Sequence, residues 1–202
     1  MPKPLVVIWD IDKTLADCSH REHLLRPNCV VCLTVKTSGL DYMCKTCGVP
    51  TDSQMPQSSW DLFSDPELVI KDKAYPEAVA AFTRFAELGV IQHAITGRDD
   101  LHRGVTLSWL RQVLPWDDKD NQLYTRKQAV RDLPSSVYKE RALRELIRTN
   151  KYDDHTFLFF EDDSHVFGVY AKFGIVIKCP DAWEKGIVLP APANGHEKSW
   201  KL

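Results

Sequence analysis

The sequence lacks several features that would assign it to a large class of proteins. No run of eighteen or more apolar residues occurs, which excludes a membrane-spanning helix. The apolar stretch near its N-terminus is too short for a signal peptide, so a cytoplasmic location is expected. The glycine- and lysine-containing P-loop pattern is missing, so no kinase activity is predicted. The formal net charge of -2 gives no general attraction for nucleic acid, and nothing indicates an obligate protein partner.

The chain does contain enough apolar material for one core. Its 202 residues are 44% hydrophobic and 27% charged, as in ordinary globular domains. Short apolar runs alternate with helical patterns, which is typical of an α/β fold with a mostly parallel sheet covered on both faces. We predict strands at 5–9, 90–95, 122–126, 156–160 and 175–179, and helices at 76–89, about 100–114, 135–150 (with a serine cap) and 165–174.

These patterns also predict the domain organisation. Residues 1–16 and 61–180 would form the core, and residues 17–60, which show no sustained period, would be an insertion. A C-terminal extension would cover 181–202, and we expect the chain to be irregular after Pro180.

Acidic residues directly follow two of the predicted strands. Asp10 and Asp12 come after the first strand, and Asp162 and Asp163 come after the fourth. Thr96 follows the second strand. Because the carboxyl ends of parallel strands meet at one edge of a sheet, we expect these side chains to lie close together. A cluster of carboxylates requires a cation, and oxygen ligands suit Mg2+.

Such a site favours phosphoryl chemistry, because Mg2+ commonly shares its coordination with substrate phosphate. One carboxylate can act as a nucleophile and form an acyl phosphate. A second carboxylate, two residues further on, can protonate the leaving oxygen and later activate water. Lys139 and Thr96 would balance the charge on the phosphoryl oxygens.

Four segments of the chain resemble, in order, the four motifs of the haloacid dehalogenase superfamily. They are Asp-Ile-Asp-Lys-Thr at 10–14, Thr-Gly-Arg at 96–98, Lys139 in a later helix, and the acidic pair at 162–163. The resemblance extends from about residue 5 to 178 with the insertion set aside, and it implies a three-layer Rossmann-like core. Each motif alone also fits a turn, a loop or a surface lysine. Their order is what indicates an enzyme.

The resemblance implies a role for each matching residue. Asp10 would be the phosphorylated nucleophile, and Asp12 would be the general acid and base, a feature of the phosphatase branch. Thr96 would supply the hydroxyl of the second motif and Lys139 the cation of the third. Thr14 would fix the loop that carries the two acids.

The resemblance also implies the ligands of the catalytic Mg2+. They would be Asp10, the backbone carbonyl of Asp12, and Asp162, with Asp163 in support. The run of three acids leaves the register open, because Glu161 and Asp162 could be the working pair instead.

Four cysteines form two Cys-x2-Cys pairs within the predicted insertion: Cys29, Cys32, Cys44 and Cys47. Their spacing suits one tetrahedral Zn2+, which would give structure to a segment without a core. A pair of redox dithiols is the alternative, but nothing thioredoxin-like surrounds them. The insertion follows the first motif, where the superfamily places a flap or small cap. It would therefore cover the active site, or it would be a stabilising decoration.

A finer resemblance concerns the substrate. Residues 123–146 and 157–179 resemble the phosphatase domain of bacteriophage-type polynucleotide kinase/phosphatase. The resemblance implies a phosphorylated nucleotide or nucleic-acid end as substrate, in particular the 3'-phosphate of a polynucleotide. We expect four residues to bind it: Thr14, Gly97, Arg98 and Arg126. For the two arginines, surface ion pairing is an equally good account. A phage-encoded protein would act in the host cytoplasm.

Three alternative functions stay open. A 5'-nucleotidase acting on free nucleoside monophosphates fits the near-neutral charge. A phosphoprotein phosphatase fits an open site without a large cap domain. A zinc-ribbon nucleic-acid-binding module on an inactive scaffold belongs to a different class, and it predicts the loss of an essential motif.

Overall fold

The computed structural model describes residues 3–22 and 63–185. The predicted zinc ligands lie outside these ranges: Cys29, Cys32, Cys44 and Cys47. The chain divides into two compact units, one made of Met1–Asp17 with Lys73–Leu202 and the other of Cys18–Asp72. Among the described residues, no helix combines the length and the apolar composition that a membrane crossing requires.

The described strands and helices alternate along the chain. The strands are β1 (Leu5–Trp9), β2 (Ala16–Asp17), β3 (Lys73–Ala74), β4 (Ile91–Asp99), β5 (Leu123–Arg126), β6 (Thr156–Glu161) and β7 (Gly174–Lys178). The helices are α1 (Ser19–Glu22), α2 (Pro66–Val69), α3 (Pro76–Glu87), α4 (Arg103–Val113), α5 (Ser135–Asn150), α6 (Ser164–Tyr170) and α7 (Asp181–Lys185). Short 3-10 turns cover Asp100–His102 and Gln128–Val130.

Within these ranges, five strands form one sheet in the order β5-β4-β1-β6-β7, and every neighbouring pair is parallel. The strands β2 and β3 form a separate antiparallel pair. The sheet order reverses direction around β1, so the loop after β1 lies at the centre of the carboxyl edge. The predicted α/β fold with a parallel sheet is confirmed.

Both faces of the sheet are buried, as the apolar runs predict. Side chains alternate along a strand, so Val7 and Trp9 point to one face of β1 while Val6 and Ile8 point to the other. The first pair lies in a core with residues of α3, α4 and α7, and the second lies in a core with residues of α5 and α6. The strand β1 is therefore apolar at every position because it has no solvent-facing side.

The second strand of the sequence pattern is longer than its apolar run indicates. That run predicts a strand at 90–95 closed by a turn at Thr96-Gly97-Arg98, but β4 continues through these residues to Asp99. Its pairing with β5 shifts register between Ile95 and Asp99, which keeps the strand at the edge of the site. The prediction of a turn is wrong, because pairing with β5 extends the strand beyond its apolar run.

Two helix boundaries also differ from the predictions. The N-cap of α5 is Pro134 and no side chain caps the helix, so the predicted serine cap is wrong. The helix predicted at 165–174 ends at Tyr170, and Gly174 begins β7 instead of stopping the helix. A Cβ atom at Gly174 would lie 2.0 Å from the carbonyl oxygen of Phe157, so close backbone packing requires glycine there.

The chain immediately after Pro180 is ordered, contrary to the expectation of irregular structure. Residues 181–185 form α7, and the buried Trp183 stacks on Phe160 with ring centroids 5.5 Å apart. The Trp183 indole N–H donates a hydrogen bond of 2.9 Å to the carbonyl oxygen of Thr14. The helix therefore packs beneath the loop that carries the first motif.

A buried histidine lies on β4, between the sheet and the neighbouring loops. His93 Nδ1 accepts a hydrogen bond of 3.1 Å from the backbone N–H of Gln122, and Nε2 lies 3.1 Å from the hydroxyl of Tyr152. Since Nδ1 accepts a hydrogen bond, the ring is neutral with its proton on Nε2. Burial lowers the pKa of His93 to about 4.

We predict that His93 makes folding sensitive to mild acid. Its folded pKa lies below the ordinary value of 6.5, so the unfolded chain takes up the proton first. The free energy of unfolding should fall by roughly 2 kcal/mol between neutral pH and pH about 5 on this account. Urea unfolding at both pH values should show a clearly smaller fall in His93→Gln. The exposed His165→Gln is the matched control and should behave as wild type. Equal pH dependence in His93→Gln and wild type would contradict the prediction.

Candidate active site

Strand register brings acids from two distant segments together. Trp9 pairs with Phe160 in the β1–β6 ladder, and the backbone N–H of Asp10 donates to the carbonyl oxygen of Phe160 at 2.9 Å. On the other side of β6, the N–H of Cys179 donates to the carbonyl oxygen of Glu161 at 2.9 Å. Asp10 and Glu161 are therefore neighbours at the carboxyl edge of the sheet.

A buried lysine joins these two acids. Lys139 lies in the second turn of α5 and its side chain is 3% exposed. Its Nζ donates to Asp10 Oδ1 at 2.8 Å and to the two Glu161 carboxylate oxygens at 2.8 and 2.7 Å. The structure thus places Lys139 between Asp10 and Glu161.

The third acid of the group is Asp162. Ligand oxygens of Asp10, Glu161 and Asp162 all lie within 4.8 Å of one another. Asp163 has a different role, since its Oδ1 accepts a hydrogen bond of 2.9 Å from the N–H of His165 and caps α6. Of the two predicted acids at this strand end, the geometry therefore groups Asp162, and not Asp163, with Asp10.

One cation faces three carboxylates in this group, and the pKa values reflect that imbalance. Burial raises the pKa of Asp10, an effect that Lys139 opposes. Burial raises the pKa of Glu161 to about 7 and, together with the charge of Asp10, that of Asp162 to about 9. Burial alone would lower the pKa of Lys139, but Asp10 and Glu161 raise it well above its usual value. The group favours a further positive charge.

The donor set fits Mg2+. All of its ligand atoms are carboxylate oxygens, which hard divalent cations prefer over nitrogen or sulfur. Glu161 is fully engaged by Lys139, so Asp10 and Asp162 would be the side chains that hold the ion. The backbone carbonyl of Asp12, which the sequence predicts as a further ligand, belongs to the same loop as Asp10.

The loop after β1 orients Asp12 separately from this group. The carbonyl oxygen of Ile11 accepts hydrogen bonds from the N–H groups of Leu15 and Ala16 at 2.9 and 2.8 Å, which closes a tight turn. Lys13 within that turn has a left-handed backbone with φ 62. Asp12 forms a two-point ion pair with Arg98, with Nε to Oδ2 at 3.0 Å and Nη2 to Oδ1 at 2.8 Å.

The two predicted threonines are both fully buried. Thr96 lies on β4 at the same edge, and its Oγ1 accepts a hydrogen bond of 3.3 Å from the backbone N–H of Arg98. Thr14 lies inside the first loop, where its carbonyl oxygen accepts from Trp183. Thr14 thus takes part in a contact that holds the loop in place.

Gly97 and Arg126 lie side by side at the end of the neighbouring strands. A Cβ atom at Gly97 would be 3.7 Å from Arg126 Nη2. Arg126 Nη1 donates to the carbonyl oxygens of Arg131 and Leu133 at 3.2 and 3.3 Å. Its buried Nε has no hydrogen-bond partner among the described residues. The guanidinium lies 5.0 Å from the ring centroid of Tyr138, one residue before the buried lysine.

Sequence reasoning missed two pairings in this site. It gave no partner to Lys139 beyond the phosphate, whereas the structure gives it Glu161, a residue considered only as an alternative metal ligand. It also assigned Arg98 to the substrate or to a surface ion pair, whereas the structure pairs this buried arginine with Asp12. The run Glu161-Asp162-Asp163 contained the signal for the first pairing. No local pattern signals the second, because Asp12 and Arg98 are 86 residues apart.

Comparison with known proteins identifies the fold. No family model and no curated protein sequence matches the chain. A chain of the Pnkp1/Rnl/Hen1 complex is 13% identical with a TM-score of 0.52, and the match covers 88% of this chain but only 45% of that chain. This chain thus spans less than half the length of that relative.

Two further solved structures cover more of their own chains. The class C acid phosphatase from Bacillus anthracis, with tungstate bound, is 15% identical with a TM-score of 0.52, and the match covers 89% of this chain and 68% of that chain. A haloacid dehalogenase-like family hydrolase from Streptococcus pneumoniae is 11% identical with a TM-score of 0.55, covering 87% and 84%. At these identities the similarity shows the fold, which is the Rossmann-like α/β fold of haloacid dehalogenase-like hydrolases.

We predict that Asp162→Asn abolishes stabilisation by Mg2+. The substitution removes a buried carboxylate whose charged form is disfavoured, so the metal-free protein should unfold at a higher temperature than wild type. Saturating Mg2+ should stabilise wild type by about 2 to 3 kcal/mol and this variant hardly at all. Thermal unfolding with EDTA and with Mg2+ measures both effects.

Asp163→Asn is the matched control, since asparagine also caps helices. It should keep the Mg2+ response of wild type. If Asp163→Asn loses the Mg2+ response and Asp162→Asn retains it, the prediction is wrong and Asp163 is the residue that holds the metal.

Proposed function

We propose that the chain is a Mg2+-dependent phosphomonoesterase that uses Asp10 as its nucleophile. The observation that best supports this function is the group of Asp10, Lys139 and Asp162 at the carboxyl edge of the sheet, with Asp12 two residues from the nucleophile. Acid groups of this kind are costly to bury, so a functional role is the simplest reason for them. The shared fold with an acid phosphatase is consistent with the same chemistry.

In the first step an Asp10 carboxylate oxygen attacks the phosphorus atom of the ester. The bond between phosphorus and the leaving oxygen breaks, and Asp12 delivers a proton to that oxygen. In the second step Asp12 takes a proton from water, whose oxygen attacks the phosphorus of the aspartyl phosphate. The acyl phosphate bond breaks, inorganic phosphate leaves, and the Asp10 carboxylate is restored.

The surrounding residues prepare this chemistry. Lys139 holds one Asp10 oxygen in place and keeps positive charge where the phosphoryl group arrives. Glu161 keeps Lys139 charged and fixed by engaging it with both carboxylate oxygens. A bound Mg2+, held by Asp10 and Asp162, would offset their charge and that of the phosphoryl oxygens. Thr96 would donate its hydroxyl to the same oxygens.

Arg126 and Gly97 would bind the part of the substrate next to the phosphoryl group. The buried Arg126 Nε without a partner among the described residues is a donor that an anionic oxygen could satisfy. Gly97 leaves its neighbouring guanidinium uncovered, because any side chain there would contact Arg126 Nη2. These two residues therefore support the binding of a phosphate ester with a second anionic or polar group.

We favour the end of a polynucleotide as substrate, in particular its 3'-phosphate. One solved structure with a similar fold is that of the Pnkp1/Rnl/Hen1 RNA repair complex, of which one chain is 14% identical with a TM-score of 0.50; the match covers 87% of this chain and 42% of that chain. RNA repair is the role that the name of that complex gives to it. A second, independent feature of this chain supports the same substrate class.

This feature is a stripe of three arginines on α5, made of Arg141, Arg144 and Arg148, on a face that also carries the exposed Glu145. All three are exposed, and their spacing of three and four residues places them on one face over roughly 10 Å. Arg144 pairs with Glu140 at 2.7 Å, whereas Arg141 and Arg148 have no ion pair among the described residues. The helix begins at the active-site edge, so the stripe leads away from it. Phosphates of a long substrate would follow this stripe, which a mononucleotide would not reach.

The first test is phosphate release from four substrates: a 3'-phosphorylated oligonucleotide, a 5'-phosphorylated oligonucleotide, nucleoside monophosphates and a phosphopeptide. Wild type should release phosphate only with Mg2+, and fastest from the 3'-phosphorylated oligonucleotide. Asp10→Asn should reduce kcat by at least about a thousandfold because it removes the nucleophile. The exposed Asp120→Asn is a matched control and should be fully active.

The substrate panel separates the alternatives. Fastest release from mononucleotides would select a nucleotidase, and release from the phosphopeptide alone would select a protein phosphatase. Activity that survives in Asp10→Asn would contradict the proposed nucleophile. No release from any substrate would favour a binding module on an inactive scaffold.

A charge-matched pair of double variants tests the stripe. Arg141→Gln/Arg148→Gln should lower kcat/KM on the oligonucleotide roughly tenfold at low salt and leave nucleoside monophosphates unaffected. The slope of log kcat/KM against log salt should become shallower by about 1 to 1.5, because two phosphate contacts are lost.

The control Arg84→Gln/Arg111→Gln removes the same charge from exposed positions on α3 and α4. Its kcat/KM on the oligonucleotide, and the salt dependence of that value, should equal those of wild type. Equal losses in the two double variants would show that net charge, and not the stripe, attracts the oligonucleotide.

We also propose a structural Zn2+ held by Cys29, Cys32, Cys44 and Cys47. Its support is the spacing of the cysteines in the sequence.

A further inference from the structure

We propose that Arg98 is a positioning residue that sets the orientation of the Asp12 carboxylate. This inference rests on the proposed function, in which Asp12 transfers the proton to and from the reacting oxygens. Both Asp12 oxygens are held by the same guanidinium, at 3.0 Å from Nε and 2.8 Å from Nη2. Two parallel hydrogen bonds fix the plane of a carboxylate as well as its distance.

The arginine is the immobile member of the pair. Its side chain is 3% exposed, whereas that of Asp12 is 22% exposed. The Arg98 guanidinium lies 5.7 Å from the ring centroid of Trp109, a fully buried residue of α4. Its backbone N–H is bound to Thr96 Oγ1 within the continuous strand β4. Asp12, by contrast, sits in a short loop. The strand therefore determines where the loop carboxylate points.

This geometry changes the role that the sequence predicts for Arg98. A substrate-binding arginine would direct its fork at the phosphate, but the Nε and Nη2 donors of Arg98 are committed to Asp12. Arg98 thus acts on the reaction through Asp12.

Positioning and phosphate binding predict different kinetics. Proton transfer to the leaving oxygen matters for a sugar alcohol, which departs poorly as an alkoxide, and hardly matters for p-nitrophenolate, which departs without a proton. A loss that acts through Asp12 must therefore depend on the leaving group. A lost phosphate contact must affect both substrates, since both carry the same phosphoryl group.

The test compares kcat/KM, which covers the steps up to phosphoryl transfer, on p-nitrophenyl phosphate and on the nucleotide substrate of the panel, oligonucleotide or monophosphate, that wild type hydrolyses fastest. Arg98→Lys keeps the charge but lacks the fork, and Arg98→Gln lacks both. We expect each to lose about 100-fold or more on the nucleotide and less than about tenfold on p-nitrophenyl phosphate, with KM changed little.

A double-variant cycle completes the test. Asp12→Asn should show the same dependence on the leaving group, and Arg98→Gln/Asp12→Asn should be no slower than Asp12→Asn alone. Equal losses of Arg98→Lys on both substrates, a rise in KM, or additive losses in the double variant would overturn the inference.

The outcome is distinguishable from failure of the proposed function. If wild type hydrolyses neither p-nitrophenyl phosphate nor any member of the substrate panel, the phosphatase proposal fails and this inference fails with it. If wild type is active and Asp10→Asn is not, the proposed function stands. The Arg98 variants alone then decide whether Arg98 positions Asp12. Residual activity on p-nitrophenyl phosphate reports that each variant is folded.

Discussion

Lys139 is the contact on which the rest of the site depends. A buried ammonium lies within 2.8 Å of both Asp10 and Glu161, and it offsets the repulsion between two strand ends of like charge. The lysine can reach both acids because α5 crosses the face of the sheet and begins at its carboxyl edge. Yet one ammonium does not balance three carboxylates. The excess of acidic groups is what suits the site to a divalent cation, whose charge would in turn offset that of a phosphoryl group.

Parallel pairing converts this local contact into a site. Since β1 lies between β4 and β6, the ends of three adjacent strands supply Asp10, which is the proposed nucleophile, the arginine that pairs with Asp12, and the acids next to the lysine. Each strand end carries a different group, and the sheet keeps these groups separate. Asp10 faces Lys139 while Asp12, two residues later, faces Arg98. Two acids so close in sequence therefore experience different partners, which is what different roles in one reaction require.

Much of this could be predicted from the sequence, because the decisive signals are local. Apolar runs define β1 and β6, and the rule that strand ends share an edge brings Asp10 near Asp162. The register of the acidic run could not be predicted, because β6 includes Glu161 and is one residue longer than its apolar run. Pairing with β7 decides that length. The Arg98–Asp12 pair could not be predicted either, since it depends on how far β4 extends beyond its apolar residues.

The aromatic residues beneath the two acidic loops have a practical consequence. Trp9 precedes Asp10, Phe160 precedes Glu161, and their rings stack with centroids 4.1 Å apart, with Trp183 stacked on Phe160 from α7. Fixed, asymmetric packing of aromatic rings produces near-UV circular dichroism, which vanishes when packing loosens. The protein thus carries an intrinsic optical reporter in the floor of its own site. These rings contribute to that signal together with the other aromatic residues of the chain, so loosening of this floor would change it without a label or a substrate.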